Sequence, residues 1–125
     1  MKSRTIREGV RMIPSVHWER RLFDSLIPLP DGTSYNAYLV EGSEGIALID
    51  STDPALREDL LKELRDVPRL DYIVSQHSEQ DHSGLLPELL QRYPDARLVC
   101  SDKARDLLHT HLAIPEDRLQ AVADR

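Results

Sequence analysis

The chain has 125 residues, of which 40% are hydrophobic and 30% are charged, and its formal net charge is −6. This length suits one ordinary domain or a piece of a larger protein, and the apolar content is sufficient for a buried core. The negative charge and the absence of a basic stripe argue against nucleic acid as a partner. No apolar run approaches twenty residues and the amino terminus lacks an apolar signal segment, so we expect a cytoplasmic protein without a membrane span.

The sequence of the first third of the chain predicts β-structure. Residues 9–23 alternate weakly and predict one or two edge strands. Within them, His17 and Trp18 are interpreted as a solvated histidine beside a half-packed indole, with the wall of a pocket as the alternative. Residues 35–40 and 46–50 flank a turn that contains Gly42 and Gly45, and they predict a hairpin.

Two aspartates follow the second strand of this hairpin. Asp50 ends the strand, where it either forms the turn or supports a nearby site. Asp53 precedes Pro54 and is assigned to capping, because an aspartate before a first-turn proline is a typical helix start. The leucines that follow recur at helical spacing and define one buried face: Leu56, Leu60, Leu61 and Leu64.

The rest of the chain alternates strands and helices. Residues 70–74 predict a buried strand, and a helix follows with an apolar side of Leu85, Leu86, Leu89, Leu90 and Tyr93. Residues 97–100 predict a third central strand, and a third helix runs from Asp102 to about His111, packing through Leu107 and Leu108. The order β-β-α-β-α-β-α predicts an α/β (α+β) fold in which parallel strands follow an antiparallel start. No element is assigned to residues 116–125, which carry no candidate ligand.

Two further residue groups receive structural interpretations. His109 and His111 cannot chelate one metal from a helix, since residues two apart point about 200° away from each other, and they are assigned to the surface. Cys100 ends an apolar run and is interpreted as a buried structural thiol. A single cysteine also fits a reducing compartment.

The stretch 77–82, between the predicted strand and the predicted second helix, concentrates metal-binding groups. It holds two imidazoles and two carboxylates within six residues: His77, Glu79, Asp81 and His82. A strand or a helix would point these groups in different directions, whereas a loop can turn His77 and Glu79 toward one cation and Asp81 and His82 toward a second. Mixed imidazole and carboxylate donors suit Zn, Fe or Mn better than Mg or Ca.

The alternative is that this stretch only begins the next helix. In that interpretation Ser78, Asp81 and Ser83 are caps and the histidines are exposed. The two interpretations are compatible, because a serine can cap while its neighbours bind metal. We favour the metal interpretation, since strand ends in open α/β sheets are where ligands bind.

The motif His-x-Glu-x-Asp-His at 77–82, followed by Ser83-Gly84 and a leucine-rich helix, resembles the metallo-β-lactamase superfamily. Glu79, together with the stretch 21–40, is similar to the flavodiiron proteins in particular, and the similarity runs from about residue 15 to the end. Hydrolases of the superfamily usually have a second histidine where Glu79 stands. The resemblance implies an incomplete αββα sandwich, with residues 1–125 as the amino-terminal portion of a di-iron domain.

The resemblance also implies function and partners. Members reduce dioxygen to water or nitric oxide to nitrous oxide at a non-haem site of two irons, to which His77, Glu79, Asp81 and His82 would contribute. FMN would lie in a flavodoxin-like domain that this chain lacks, in a head-to-tail homodimer that receives electrons from rubredoxin or from a flavin or iron–sulfur carrier. The remaining ligands would come from the rest of the same protein or from a complementary chain, so the 125 residues alone are expected to be inactive.

Two other functions stay open at this point. One is a metallo-hydrolase with a dinuclear zinc site, and the other is a non-catalytic fragment that pairs with another chain through an open sheet. One half of a sandwich would expose a sheet face, for which the sequence suggests Ile46, Leu48, Ile73 and Val74.

Overall fold

The computed structural model describes residues 2–23 and 25–123. One mixed sheet of seven strands, in the order β1-β2-β5-β6-β7-β8-β9, dominates it, and a two-stranded hairpin stands apart. The strands are β1 (Arg4–Arg7), β2 (Val10–His17), β3 (Leu22–Phe23), β4 (Ile27–Pro28), β5 (Thr33–Glu41), β6 (Ile46–Ile49), β7 (Tyr72–Val74), β8 (Arg97–Ser101) and β9 (Leu119–Val122). The α-helices are α1 (Arg57–Glu63), α2 (Gln80–Ser83), α3 (Leu86–Arg92) and α4 (Asp102–Leu112), with short 3-10 turns at Pro54–Leu56 and Glu116–Arg118.

The predicted α/β organisation is confirmed. Strands β5 and β6 pair antiparallel as the expected hairpin, and β6, β7, β8 and β9 run parallel. Asp53 caps as predicted, because its Oδ1 accepts a hydrogen bond of 2.9 Å from the Ala55 amide. Helix α3 buries the whole predicted apolar side, and Pro87 lies in its first turn, where a missing N–H has no partner to lose.

Three assignments were wrong. Strand β2 is internal, since it pairs with both β1 and β5. The strand at this edge of the sheet is β1, in a region for which the sequence predicted no strand. Strand β9 pairs with β8 in the region left without an element; Asp124 and Arg125 lie outside the described residues. Leu107 is 47% exposed, so α4 packs through Leu108 without it. Strand β1 is short and exposed, so no apolar pattern marks it, although it lies next to β2 in sequence. Strand β9 depends on pairing with β8 across α4.

The core lies on one face of the sheet. A row of residues in register on adjacent strands is buried there against leucines of α1 and α3: Leu39, Leu48, Ile73, Leu98 and Leu119. These side chains account for the near-continuous apolar runs in the sequence. They anchor the strands whose ends carry the candidate metal ligands.

The opposite face carries a second apolar row in register: Met12, Tyr38, Ile49, Val74 and Val99. All five are half-buried, and none belongs to the buried cluster of the described residues. The sequence-based choice of open-face residues was therefore wrong for Leu48 and Ile73, which are fully buried, and for Ile46, which packs against the core. Neighbouring residues in a strand point to opposite faces, so only Val74 lies on the open side.

Cys100 is confirmed as a buried thiol, with 2% of its surface exposed. Burial raises the pKa of the Cys100 thiol, so less thiolate is present at pH 8 than in a free cysteine. We predict that a chromogenic disulfide reagent reacts at least about tenfold more slowly with the native protein than with the protein in guanidinium. A stopped-flow comparison measures both rates, and equal rates would contradict the burial of this side chain.

Candidate metal centre

The candidate ligands lie where two parallel strands end at the same edge of the sheet. Ile49 pairs with Val74 at the ends of β6 and β7, and this register places Asp50 beside the segment that follows β7. The Asp50 amide donates to the Val74 carbonyl at 2.8 Å, and the Asp50 Oδ1 accepts from the Gln76 amide at 2.8 Å. The aspartate adopts a left-handed φ of 63°, which turns its carboxylate back toward this segment.

Backbone hydrogen bonds fix the segment that carries the ligands. His77 and Glu79 precede α2, whereas Asp81 and His82 lie within it, so a short helical turn replaces the second half of the predicted loop. The amide and the hydroxyl of Ser51 both donate to the His82 carbonyl, at 2.9 and 2.6 Å. Ser51 is fully buried, and it therefore ties this turn to the end of β6.

The capping alternative is not what the structure contains. Glu79 occupies the N-cap position of α2 without a side-chain capping bond. Ser83 donates its hydroxyl toward the carbonyls of Ser78 and Glu79, at 2.7 and 2.9 Å, instead of accepting from an amide. Ser51 and Ser83 therefore stabilise the turn through its backbone. The imidazoles and carboxylates are not used as helix caps.

The four predicted donors fall into two pairs. His77 Nε2 lies 3.6 Å from Glu79 Oε2, and His82 Nε2 lies 3.5 Å from Asp81 Oδ2. The imidazole rings of the two histidines connect the pairs, with centroids 5.2 Å apart. The side chains of the first pair are about half exposed, at 54% and 53%, whereas those of Asp81 and His82 are 11% and 29% exposed.

These pairs match the division between two cations that the sequence suggested, and their assignment as metal ligands stays a prediction. Among residues 2–23 and 25–123, no three His, Cys, Asp or Glu side chains converge closely enough to hold a metal ion. Each pair therefore supplies two donors of a kind that iron and zinc accept, and either metal would need further donors from outside them. The chemical types of these donors suit two metal ions. Their number is sufficient for only part of the coordination shell of each ion.

One buried ring nitrogen supports a ligand role for His82. His82 Nδ1 has no hydrogen-bond partner, and the nearest carboxylate oxygen, Asp50 Oδ2, is 3.8 Å away. A metal-bound histidine usually has its second nitrogen beside a carboxylate. Asp50 thus combines both roles considered for it, since it forms the turn and also faces the imidazole of a candidate ligand.

Several neighbours of the site were not identified from the sequence. Tyr35 is 3% exposed, and its ring packs edge-on against His82, with centroids 6.4 Å apart. Its hydroxyl lies 3.3 Å from His17 Nδ1, so His17 is a partner of a buried tyrosine, while Trp18 is 62% exposed and not half-packed. Arg20 donates to Asp53 Oδ2 at 3.0 Å.

A signal for Tyr35 was present in the sequence. Tyr35 alternates with Ala37 and Leu39, which places all three on the buried face of β5. Since β5 runs antiparallel to β6, the start of β5 lies at the edge where β6 ends. The predicted hairpin therefore already placed Tyr35 near the ligand segment.

Two cavities adjoin the donors. One of about 720 Å³ lies between the ligand segment and α4, where His77, Glu79, Leu107, Leu108 and His111 contribute to its walls. A second of about 260 Å³ is lined by Arg20, Phe23, Asp53, Glu79, Gln80 and Asp81. Glu79 borders both cavities. His109 and His111 are exposed as predicted, although His109 Nδ1 also lies 2.7 Å from the Ile114 carbonyl.

None of the helices in the described residues combines the length and the apolar character that a membrane span requires. The longest α-helix there, α4, has 11 residues.

Comparison with known proteins assigns the fold to a family. The family model described as the metallo-beta-lactamase superfamily matches residues 30–124. The chain belongs to this superfamily. Within it, the expected similarity to flavodiiron proteins is confirmed by both sequence relatives and solved structures.

Three of these relatives illustrate the similarity. A nitric oxide reductase from Moorella thermoacetica is 36% identical over 110 residues, which are 85% of this chain and 27% of that protein. The structure of rubredoxin oxygen:oxidoreductase from Desulfovibrio gigas aligns with a TM-score of 0.88 and 30% identity over 97% of this chain and 31% of that one. The flavodiiron protein from Giardia intestinalis aligns with a TM-score of 0.88 and 26% identity, over 99% and 31%. The chain thus spans less than a third of the length of the curated relatives it matches.

Gly84 allows the ligand segment to approach the start of the first helical region. A Cβ at this position would lie 2.5 Å from Pro54 Cδ and 2.7 Å from the Gln80 carbonyl oxygen. We predict that Gly84→Ala lowers the free energy of unfolding by about 1–3 kcal/mol through overpacking. Denaturant titration measures the change. Gly42→Ala is the control, since its added Cβ would have no neighbour closer than 3.4 Å; equal effects of the two substitutions would refute this explanation.

The structural role of Asp50 in the turn can be tested in the absence of metal. Burial raises the pKa of its carboxyl, so the ionised side chain favours the unfolded chain at neutral pH. Asp50→Asn keeps an acceptor for the Gln76 amide and tolerates the left-handed backbone, so we expect it to be at least as stable as the original protein at pH 7. Asp50→Ala loses both advantages and should be less stable than Asp50→Asn by about 1–2 kcal/mol. Thermal and urea unfolding in the presence of a chelator measure the order, and a reversed order would show that the hydrogen bond is not formed.

Proposed function

We propose that His77, Glu79, Asp81 and His82 belong to the ligand set of a non-haem di-iron centre in an oxygen or nitric oxide reductase. The observation that carries the proposal is the arrangement of four donors in two imidazole–carboxylate pairs, 3.6 and 3.5 Å across, at the end of β7. The relatives named as a nitric oxide reductase and as a rubredoxin oxygen:oxidoreductase support this chemistry. They support it over the hydrolase that the same fold could also host.

Two iron ions, when bound, would supply the redox chemistry that reduces dioxygen to water or nitric oxide to nitrous oxide. The chain's own residues provide binding and access. Asp81 and His82 lie in a largely buried turn whose backbone Ser51 holds through the His82 carbonyl, so the turn that carries both donors is fixed in place. His77 and Glu79 are half exposed and border the larger cavity, which leaves this side open to small molecules and to additional ligands.

We further propose that residues 1–125 are the amino-terminal portion of the di-iron domain. The half-buried apolar row on the open sheet face and the two-donor pairs both support a missing complement. That complement would be the rest of the same protein or a second chain. FMN would be held outside this chain, in a head-to-tail homodimer, and rubredoxin or a flavin or iron–sulfur carrier would supply electrons. We retain a cytoplasmic location, which a single free buried cysteine supports.

Substitution of Glu79 tests the ligand assignment. Glu79→Ala removes one of the two donors of its pair, so we predict that iron affinity falls by at least about 10–100-fold in the protein that contains the complete domain. Iron per protein after dialysis at set free-iron levels measures this. Glu44→Ala is the matched control, because Glu44 is exposed in the β5–β6 turn, away from the donors. Unchanged iron binding in the Glu79 variant would refute the ligand role.

Metal and flavin analysis of the same preparations separates the two enzyme classes. The proposal expects iron together with bound flavin and reduction of dioxygen or nitric oxide by a reduced donor. Zinc without flavin, combined with hydrolysis of an ester or amide, would overturn it in favour of a metallo-hydrolase.

A further inference from the structure

We infer that Tyr35 is a positioning residue that holds the imidazole of His82 in place for metal binding. This inference rests on the proposed function, since it assigns a role toward the same candidate centre. Tyr35 is on β5, more than forty positions from the ligand segment in sequence, and the pairing of β5 with β6 brings it there.

The contact between the two rings is specific in geometry. The ring centroids of Tyr35 and His82 are 6.4 Å apart and the ring planes are inclined by 77°, which is an edge-to-face arrangement. Aromatic rings favour this arrangement at such separations because a positive ring edge meets a negative ring face. His82 also meets His77 edge-on, with ring centroids 5.2 Å apart. Two rings therefore pack against the imidazole of His82.

The hydrogen bonds of His82 leave its ring dependent on this packing. Ser51 fixes the carbonyl of His82, but a backbone bond does not set the rotation of the side chain. Neither ring nitrogen of His82 is in close contact with a carboxylate oxygen, since the distances are 3.5 Å to Asp81 and 3.8 Å to Asp50. Nδ1 has no hydrogen-bond partner at all. Ring packing thus restrains the imidazole where these carboxylates do not hold it by a close hydrogen bond.

Tyr35 is itself held rigidly. Only 3% of the residue is exposed, and its hydroxyl lies 3.3 Å from Nδ1 of His17, which is on the neighbouring strand β2. The rings of His17 and Tyr35 also meet edge-on, with centroids 6.0 Å apart. One row of rings, His17, Tyr35, His82 and His77, therefore runs from β2 to the ligand segment. A fixed tyrosine at its centre transmits the rigidity of the sheet to a candidate ligand.

The test separates the ring of Tyr35 from its hydroxyl. Tyr35→Leu removes the aromatic ring. If the leucine variant fails to fold, Tyr35→Met also removes the ring, and its flexible side chain fills an irregular space well. Tyr35→Phe keeps the ring. Tyr38→Leu is the matched control, since Tyr38 is on the same strand but points to the opposite face of the sheet.

Two measurements are made on the protein that contains the complete domain. The first is the position and width of the His82 ring signals in carbon–proton correlation spectra of the metal-free protein, with His109 and His111 as internal references. The second is the dissociation constant for Co²⁺ alone, followed by its visible absorption. We expect the leucine and methionine variants to shift or broaden the His82 signals and to weaken Co²⁺ binding by on the order of tenfold. The phenylalanine variant and Tyr38→Leu should stay within about twofold of the original protein.

Two results would overturn the inference. One is a folded Tyr35→Leu or Tyr35→Met variant whose His82 signals and Co²⁺ affinity are unchanged. The other is a Tyr35→Phe variant that loses as much affinity as the leucine variant. If the original protein binds no Co²⁺, the proposed metal function fails, and the metal-free spectra still decide whether Tyr35 positions His82.

Discussion

The parallel pairing of β6 with β7 is the constraint on which the rest of the structure depends. It places the residues after Ile49 and after Val74 at one edge of the sheet, where Asp50 and Ser51 meet the ligand segment. Asp50 accepts from the Gln76 amide, and Ser51 donates twice to the His82 carbonyl. A shift of the register by one residue would send Ile73 to the open face and would separate all three contacts. Packing of the core and geometry of the site are therefore fixed by the same pairing.

The two donor pairs differ in how strongly the described residues hold them. Asp81 and His82 lie in a braced, mostly buried turn, while His77 and Glu79 precede it and are about half exposed. Rigid donors reduce the ordering cost of binding a metal, whereas exposed ones can still adjust to donors that arrive from elsewhere. This asymmetry agrees with a site that is partly preformed and partly completed by other groups. It also explains why paired donors are found, among the described residues, without a converged cluster of three.

The sequence predicted the elements whose signal is local. Leu60 and Leu64 follow helical spacing, and the apolar runs that contain Leu48 and Ile73 identify buried strands, so the alternation of strands and helices was predictable. The status of β2 as an internal strand and the existence of β9 were not predictable. Strand β1, which pairs with the outer side of β2, is short and exposed and has no apolar pattern, and β9 pairs with β8 across α4. At the site, the motif suggested four candidate donors, and the structure places them in two close pairs, while their role as ligands stays a prediction. The motif itself does not point to Tyr35, which reaches the site through the pairing of β5 with β6, or to the contact of His17 with Tyr35, which depends on the pairing of β2 with β5.

The open sheet face and the unfinished donor set are connected by their position. The apolar row includes Ile49 and Val74, which end β6 and β7, and the next residues of both strands lead directly into the site. A second sheet packed on this row would stand about 10 Å away, and its own strand ends would reach the same edge. Loops at those ends would then face His77 and Glu79 across the half-exposed side of the site. Under the proposed function, the interaction that buries Met12, Tyr38, Ile49, Val74 and Val99 is therefore also the one that supplies the missing donors, so folding of the complete domain and assembly of its metal centre are coupled.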